Sequence, residues 1–185
     1  MGYRLSKIYT RTGDQGETGL GDGARVPKDG LRVETLGDVD ELNSHIGVVL
    51  SQDVPGSVRE CLEEVQHDLF HLGGELAVPG RQAIDAEDIS ALEEVLDGFN
   101  KDLPPLREFV LPGGGPAAAA CYVARAVCRR AERHLVALSR TEPVNADGLR
   151  YLNRLSDLLF VLARTLVWHE GGAEILWDPG RGQEE

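Results

Sequence analysis

The residues best able to do chemistry in this 185-residue chain fall in two short stretches. The first lies in Ala117–Leu138, which contains no glycine or proline and predicts one long helix with Pro116 in its first turn. At about 100° per residue, Ala120, Ala124, Val127, Ala131, Leu135 and Leu138 share an arc roughly 80° wide, which is the expected core face. Arg125, Arg129, Glu132 and Arg133 share a second arc, roughly 100° wide and centred about 140° away, while Arg130 points elsewhere. Guanidinium forks on one stripe suit bidentate recognition of phosphates. The same stripe also reads as a solvated face, with Arg129 and Glu132 paired one turn apart for about 0.2–0.5 kcal/mol.

The second stretch is Thr10-Arg11-Thr12-Gly13-Asp14-Gln15-Gly16-Glu17-Thr18-Gly19. Its hydroxyls, glycines and basic residue are those of a loop whose backbone N–H groups cradle a phosphate, although a flexible arm has the same composition. Around it, Arg4, Lys7, Arg11, Arg25, Lys28 and Arg32 outnumber Asp14, Glu17, Asp22 and Asp29. No Gly-Lys-Ser/Thr closes the loop, so it is not a Walker A motif. Gly19-x-Gly21-x-x-Ala24 matches the relaxed dinucleotide fingerprint, but no strand leads in and Pro27-Lys28-Asp29-Gly30 breaks any helix leading out.

Metal and nucleophile chemistry find weaker support. Glu64-x-x-His67 is one half of a di-iron ligand set, and no second Glu-x-x-His accompanies it. His67 and His71 stand one turn apart without the glutamate of a His-Glu-x-x-His zinc site, so they read as partly buried ordinary histidines and no metal site is assigned. No Ser/His/Asp arrangement can be argued.

Five helices are expected to position these stretches. Val33, Leu36, Val39, Leu42, Ile46 and Val49 give the first an apolar face, ending near Ser51. A second follows Pro55-Gly56, with Ser57 and Glu60 spaced as a capping box, and runs toward Pro79-Gly80. A third starts at an Asp85 N-cap and stops before Pro104-Pro105. The arginine-bearing helix is the fourth. In the fifth, after Pro143, Leu152, Leu155, Leu159, Leu162 and Leu166 form the seam of a helix packed in an antiparallel bundle, until Gly171-Gly172. The expected fold class is therefore all-α: a five-helix bundle over residues 33–172, preceded by an irregular glycine-rich segment over 1–32 as ordered loop or short strand, and followed by a tail over 173–185.

Composition agrees with one soluble domain spanning residues 1–185: 42% of residues are hydrophobic and 27% charged. A net charge of −12 disfavours coating nucleic acid or anionic lipid, so any anionic ligand must meet a local exception to that field. No apolar run is long enough to span a membrane. Gly2 and Ser6 fit a loose myristoylation pattern without a second anchoring signal. Cys61, Cys121 and Cys128 are odd in number, and the last two lie roughly 10 Å apart on one helix, beyond disulfide reach, so a reduced cytoplasmic setting is expected.

Six blocks carry a resemblance: Tyr9–Thr18, Pro27-Lys28-Asp29, Gly37–Asn43, Phe109–Gly114, Arg125–Arg133 and Tyr151–Asp157. In this order, over roughly residues 7–170, the chain resembles the PduO-type ATP:cob(I)alamin adenosyltransferases. The resemblance implies a five-helix homotrimer with ATP bound between adjacent subunits. It implies transfer of the 5′-deoxyadenosyl group from Mg2+-bound ATP to cob(I)alamin, with triphosphate released. Thr10, Arg11, Thr12, Gly13, Thr18, Gly19 and Lys28 are the implied ATP ligands from the N-terminal side. Arg129, Arg130, Ala131, Glu132, Arg133 and Asn153 complete that site. Arg125 and Asp40 resemble an ion pair across the subunit boundary, and Phe109 resembles the aromatic residue that excludes the lower axial ligand of the corrinoid. Arg129, Glu132, Arg125 and Asp40 are thus the expected catalytic set. Glu17, Trp177 and the tail receive no role. A reductase and an adenosylcobalamin-dependent client enzyme are the implied protein partners. A sensor or carrier that binds both ligands without forming a cobalt–carbon bond is the alternative.

Overall fold

Apolar residues at spacings of three and four build five helices: α1 (Leu31–Leu50), α2 (Gly56–Ala77), α3 (Ala86–Asn100), α4 (Pro116–Ser139) and α5 (Ala146–His169). The computed structural model describes residues 8–181; the acylation pattern at Gly2 and Ser6, and the basic residues Arg4 and Lys7, lie outside these. α4 packs between α1 and α5, with α2 against α1 and α3 against α5. The predicted core face of α4 is buried, except that Ala120 is only half-buried.

α5 departs from expectation in the width of its buried face. Its seam leucines are fully buried, but so are Tyr151, Leu158 and Ala163 on other sides. It buries more of its residues than any other helix, and each large apolar side chain among them contributes about 1.5–3 kcal/mol of burial. The Cys121 and Cys128 thiols donate to the Leu159 and Leu152 carbonyl oxygens, both at 3.3 Å, and burial raises the pKa of both. All three cysteines are free.

Helix starts follow three different rules. Asp85 accepts from the N–H groups of Glu87 and Asp88 while the Asp88 carboxylate accepts from Asp85 N–H, so the third helix has its capping box. The Ser57–Glu60 box does not form. α2 begins at Gly56 behind Pro55, which places Ser57 inside the first turn rather than at the cap. α4 has no side chain at its N-cap, Gly115; Glu170, from the end of α5, accepts instead from Ala117 N–H (3.0 Å) and Ala118 N–H (3.3 Å). A Cβ at Gly115 would overlap that carboxylate.

The N-terminal segment holds a small antiparallel hairpin, β1 (Glu17–Gly19) with β2 (Arg25–Pro27), in the register Glu17↔Pro27 and Gly19↔Arg25. Its tip docks on the end of α2 through Gly21 N–H to Ala77 O at 2.7 Å, and a Cβ at Gly21 would lie 2.5 Å from Val78. His67 and His71 are exposed, not partly buried as expected, because they lie on the solvent side of α2. No helix among the described residues is long and apolar enough to cross a membrane.

Candidate functional site

Two of the arginines predicted to form one stripe are free. Arg129 and Arg133 are exposed on α4, and neither has a hydrogen-bonding or ion-pairing partner among the described residues. The Arg129–Glu132 pair expected of a plain solvated face is absent. Glu132 is instead held from α5, where Asn153 Nδ2 donates to its Oε1 at 2.9 Å. Arg25, Arg32, Arg130, Arg150, Arg154 and Arg164 by contrast meet carboxylates. Two uncommitted guanidinium groups one turn apart, beside an oriented carboxylate, form a ready anion-recognition face.

Arg130 turns off that stripe toward α1, as its position on the helical wheel predicts. Its Nε donates to Asp38 Oδ1 at 3.0 Å and its Nη2 to Glu41, and the hydrogen bond to Asp38 raises its pKa. His134 Nδ1 contacts the other Asp38 oxygen. Asp38 thus fixes two side chains of α4 from one position on α1. Ala131 is fully buried between these helices and presents only its methyl group to the core.

Arg125 is half-buried with its guanidinium carbon 5.4 Å from the Phe160 ring centroid, and its Nε is a buried donor without a partner. The Tyr122 hydroxyl, whose ring stacks edge-on to Phe160, is a second unpartnered buried group. Asp40 is exposed and lies on a different side of the bundle. With Val33, Leu36 and Gly37 it lines a groove of about 570 Å3 that also contains Leu69, Phe70 and Gly73 of α2. Among the described residues neither Arg125 nor Asp40 has an ion-pair partner; Arg125 lies against Phe160 of α5 and Asp40 in the groove between α1 and α2.

The glycine-rich segment is ordered by its own contacts. Arg25 donates to Thr12 O at 2.8 Å and to Glu17 Oε2 at 3.2 Å, fastening the loop to the hairpin. Thr10 and Thr12 share a hydroxyl hydrogen bond at 2.9 Å, and Arg11 between them takes a left-handed conformation, φ 60°. A Cβ at Gly13 would lie 3.0 Å from Lys28 Nζ, so the missing side chain lets that ammonium group reach the loop backbone. Thr18 is half-buried in β1 and Gly19 exposed at its end. No hydrogen bond or ion pair joins residues 10–28 to the arginines of α4.

Phe109 is 75% exposed and anchored from an unexpected direction. Residues 109–111 pair with the chain after α5: Trp177 N–H donates to Phe109 O at 2.7 Å, Leu111 N–H to Ile175 O at 2.8 Å, and Val110 bridges Leu176. The Phe109 and Trp177 rings meet edge-on, with centroids 6.2 Å apart. Arg164, buried in α5, holds this strap by pairing with Glu174 and donating to Pro104 O at 2.7 Å. Phe109, Leu111, Ile175 and Trp177, which alternation places on one face of this pairing, are all exposed apolar residues.

The family model for cobalamin adenosyltransferase matches residues 8–166. This chain belongs to the cobalamin adenosyltransferase family. A cobalamin adenosyltransferase of Cupriavidus metallidurans is 56% identical over 182 residues, covering 98% of this chain and 99% of that protein. A corrinoid adenosyltransferase of Bacillus subtilis is 42% identical, covering 93% and 92%. Among solved structures, a phenylalanine-to-histidine variant of a PduO-type ATP:corrinoid adenosyltransferase from Lactobacillus reuteri, complexed with cobalamin and ATP, superposes with a TM-score of 0.88. It is 36% identical, and the match covers 94% of this chain and 97% of that one.

In this cobalamin adenosyltransferase family member, sequence reasoning missed Asp38, Trp177 and the Arg164–Glu174 latch. Asp38 carried a signal, since it falls inside the Gly37–Asn43 block. Glu174 and Trp177 carried none, because their partners are remote and no periodicity links them.

Proposed function

We propose that this chain transfers the 5′-deoxyadenosyl group of ATP to the cobalt of cob(I)alamin, yielding adenosylcobalamin and triphosphate. The observation that carries the reading is the pair of uncommitted arginines, Arg129 and Arg133, beside the Asn153-held Glu132 in a member of this family. Thr10, Arg11, Thr12, Gly13, Thr18, Gly19 and Lys28 supply the facing half of the ATP site. Arg130 and Ala131 seat α4 on α1 and so hold the arginine stripe in place. Mg2+ takes most of its ligands from phosphate and water, so it asks little of the protein. Among the described residues no group of three or more His, Cys, Asp and Glu could hold a metal.

Within one protomer no hydrogen bond or ion pair joins the two halves of the site, and Arg125 Nε is a buried donor without a partner. A closed ring of three subunits, each setting its α4–α5 side against the α1–α2 side of the next, brings the two halves together, and Arg125 to Asp40. Light scattering at micromolar concentration is then expected to return three times the monomer's 20.1 kDa; a monomeric mass contradicts the assembly.

The chemistry requires no protein nucleophile, and none is offered: burial raises the pKa of every cysteine, Cys61 to about 11. The Co(I) electron pair attacks the 5′ carbon, the C5′–O5′ bond breaks, and its electrons leave with triphosphate as cobalt becomes formally Co(III). What the protein supplies is an in-line approach and positive charge where negative charge grows. Phe109 and the apolar strap around it cover the lower face of the corrinoid and exclude its axial ligand. Four-coordinate cobalt is easier to reduce, which is where a reductase enters; an adenosylcobalamin-dependent client takes the product. Free, buried thiols suit a reducing cytoplasm. Anaerobic incubation with Mg-ATP and cob(I)alamin tests the reading: loss of the Co(I) absorbance bands with gain of a light-sensitive alkylcobalamin is expected. Binding of both ligands with the bands unchanged favours a sensor or carrier.

A further inference from the structure

α2 and α3 are consecutive in the chain, yet α3 packs on α5 and leaves a groove of about 940 Å3 between them. The groove has an apolar floor: Val65 and Leu92 are buried, Cys61 and Phe99 half-buried, and Val95 is 37% exposed. Its rim is acidic. Glu60, Glu63, Glu64 and Asp102 are exposed and have no ion-pair partner among the described residues, and no lysine, arginine or histidine lines the groove.

Two further carboxylates face inward but are engaged: Tyr151 donates to Asp68 at 2.8 Å, and Asp88 caps α3. Burial, with Asp88 and Glu64 nearby, raises the Asp68 pKa against the lowering effect of Tyr151. The negative charge here is therefore in excess of what the chain itself neutralises.

The shape is as specific as the charge. Ser57, Cys61, Glu64 and Asp68 recur on α2 at the same spacing as Ala91, Val95, Gly98 and Asp102 on and just beyond α3. Each row spans three helical turns, about 16 Å. Ala91 and Gly98 keep the α3 wall low, and a Cβ at Gly98 meets nothing within 4 Å. On α2 this row lies roughly opposite Phe70 and Gly73, so the groove is on the flank away from Asp40.

We propose that the α2–α3 groove docks a cationic amphipathic helix of another protein, with apolar residues on the floor and lysine or arginine against Glu60, Glu63, Glu64 and Asp102. A second copy of this chain would bring its own net charge of −12 to an acidic rim. A small apolar ligand would leave the rim unanswered.

The test is fluorescence anisotropy with the full-length protein and a labelled peptide of about 18 residues, leucines at helical spacing and lysines elsewhere, against the same composition scrambled. Saturable binding is expected, at least about tenfold weaker for the scrambled peptide. Val95→Lys and the double variant Glu60→Lys/Glu64→Lys should each weaken binding by at least about tenfold while adenosyl transfer stays at the wild-type rate. Equal binding of the two peptides, or indifference to both variants, overturns the proposal. So does sedimentation showing that Val95→Lys dissociates the protein without peptide, which assigns the groove to self-association.

Discussion

Replacing Arg129 by alanine is expected to lower adenosyl-transfer turnover by at least about tenfold, equivalent to about 1.4 kcal/mol of barrier, with the helical fold unchanged. The expectation rests on what Arg129 does not do in the protein. Its side chain is exposed and unpaired among the described residues, so its removal leaves no buried group orphaned and opens no cavity. Any loss of rate must then come from the ligand side, where a guanidinium opposing growing negative charge on triphosphate is worth most in the transition state. Arg129→Lys keeps the charge but loses the planar fork, so an intermediate rate is expected. Steady-state kinetics with matched circular dichroism decide the matter: near-normal turnover of Arg129→Ala would remove it from the catalytic set.

Phe109→Ala is expected to abolish most of the four-coordinate Co(II) signal seen by electron paramagnetic resonance in ATP-loaded protein. Phe109 is three-quarters exposed, so the substitution costs little core packing. What it removes is the ring that meets Trp177 edge-on at 6.2 Å, at the centre of the apolar strap. Without it, water or the corrinoid's own base can return to the lower face of cobalt. The backbone pairing of residues 109–111 with 175–177 survives, because it uses main-chain groups. The variant therefore tests the ring rather than the strap. An unchanged spectrum would take Phe109 out of the mechanism.

Both expectations start from residues legible in the sequence, and the limits of that legibility have physical causes. Helical periodicity located all five helices, because each must bury an apolar face. It described the fifth as a single seam, since a period reports one face and cannot say how far neighbours close over its flanks; Tyr151, Leu158 and Ala163 widen the buried face, while Asn153 and Asp157 stay exposed. Three-residue strands are too short to show alternation, so β1 and β2 emerged only as an ordered glycine-rich segment. Ser57 and Glu60 had the spacing of a capping box, but the helix begins earlier, at Gly56 behind Pro55, so Ser57 is already inside the first turn.

The site divides in the same way. The stripe of Arg125, Arg129 and Arg133, and the divergence of Arg130, follow from the 100° step of one helix and are visible without coordinates. Which arginines stay free is a property of other elements: Asp38 and Glu41 claim Arg130, and no described carboxylate claims Arg129 or Arg133. The resemblance gave Arg125 and Asp40 as partners, and no ion pair joins them within the described protomer. The strap that carries Phe109 depends on Arg164 finding Glu174 beyond the end of α5, a contact that no local pattern encodes.

The most direct test of the account is the phosphorus balance of a single turnover with the wild-type protein. Anaerobic reaction of Mg-ATP with cob(I)alamin, followed by phosphorus NMR, should show one triphosphate for each alkylcobalamin formed, because attack at the 5′ carbon leaves all three phosphates joined. Pyrophosphate and phosphate in place of triphosphate, without carbon–cobalt bond formation, would mean that the site cleaves phosphoanhydride bonds instead and would contradict the mechanism.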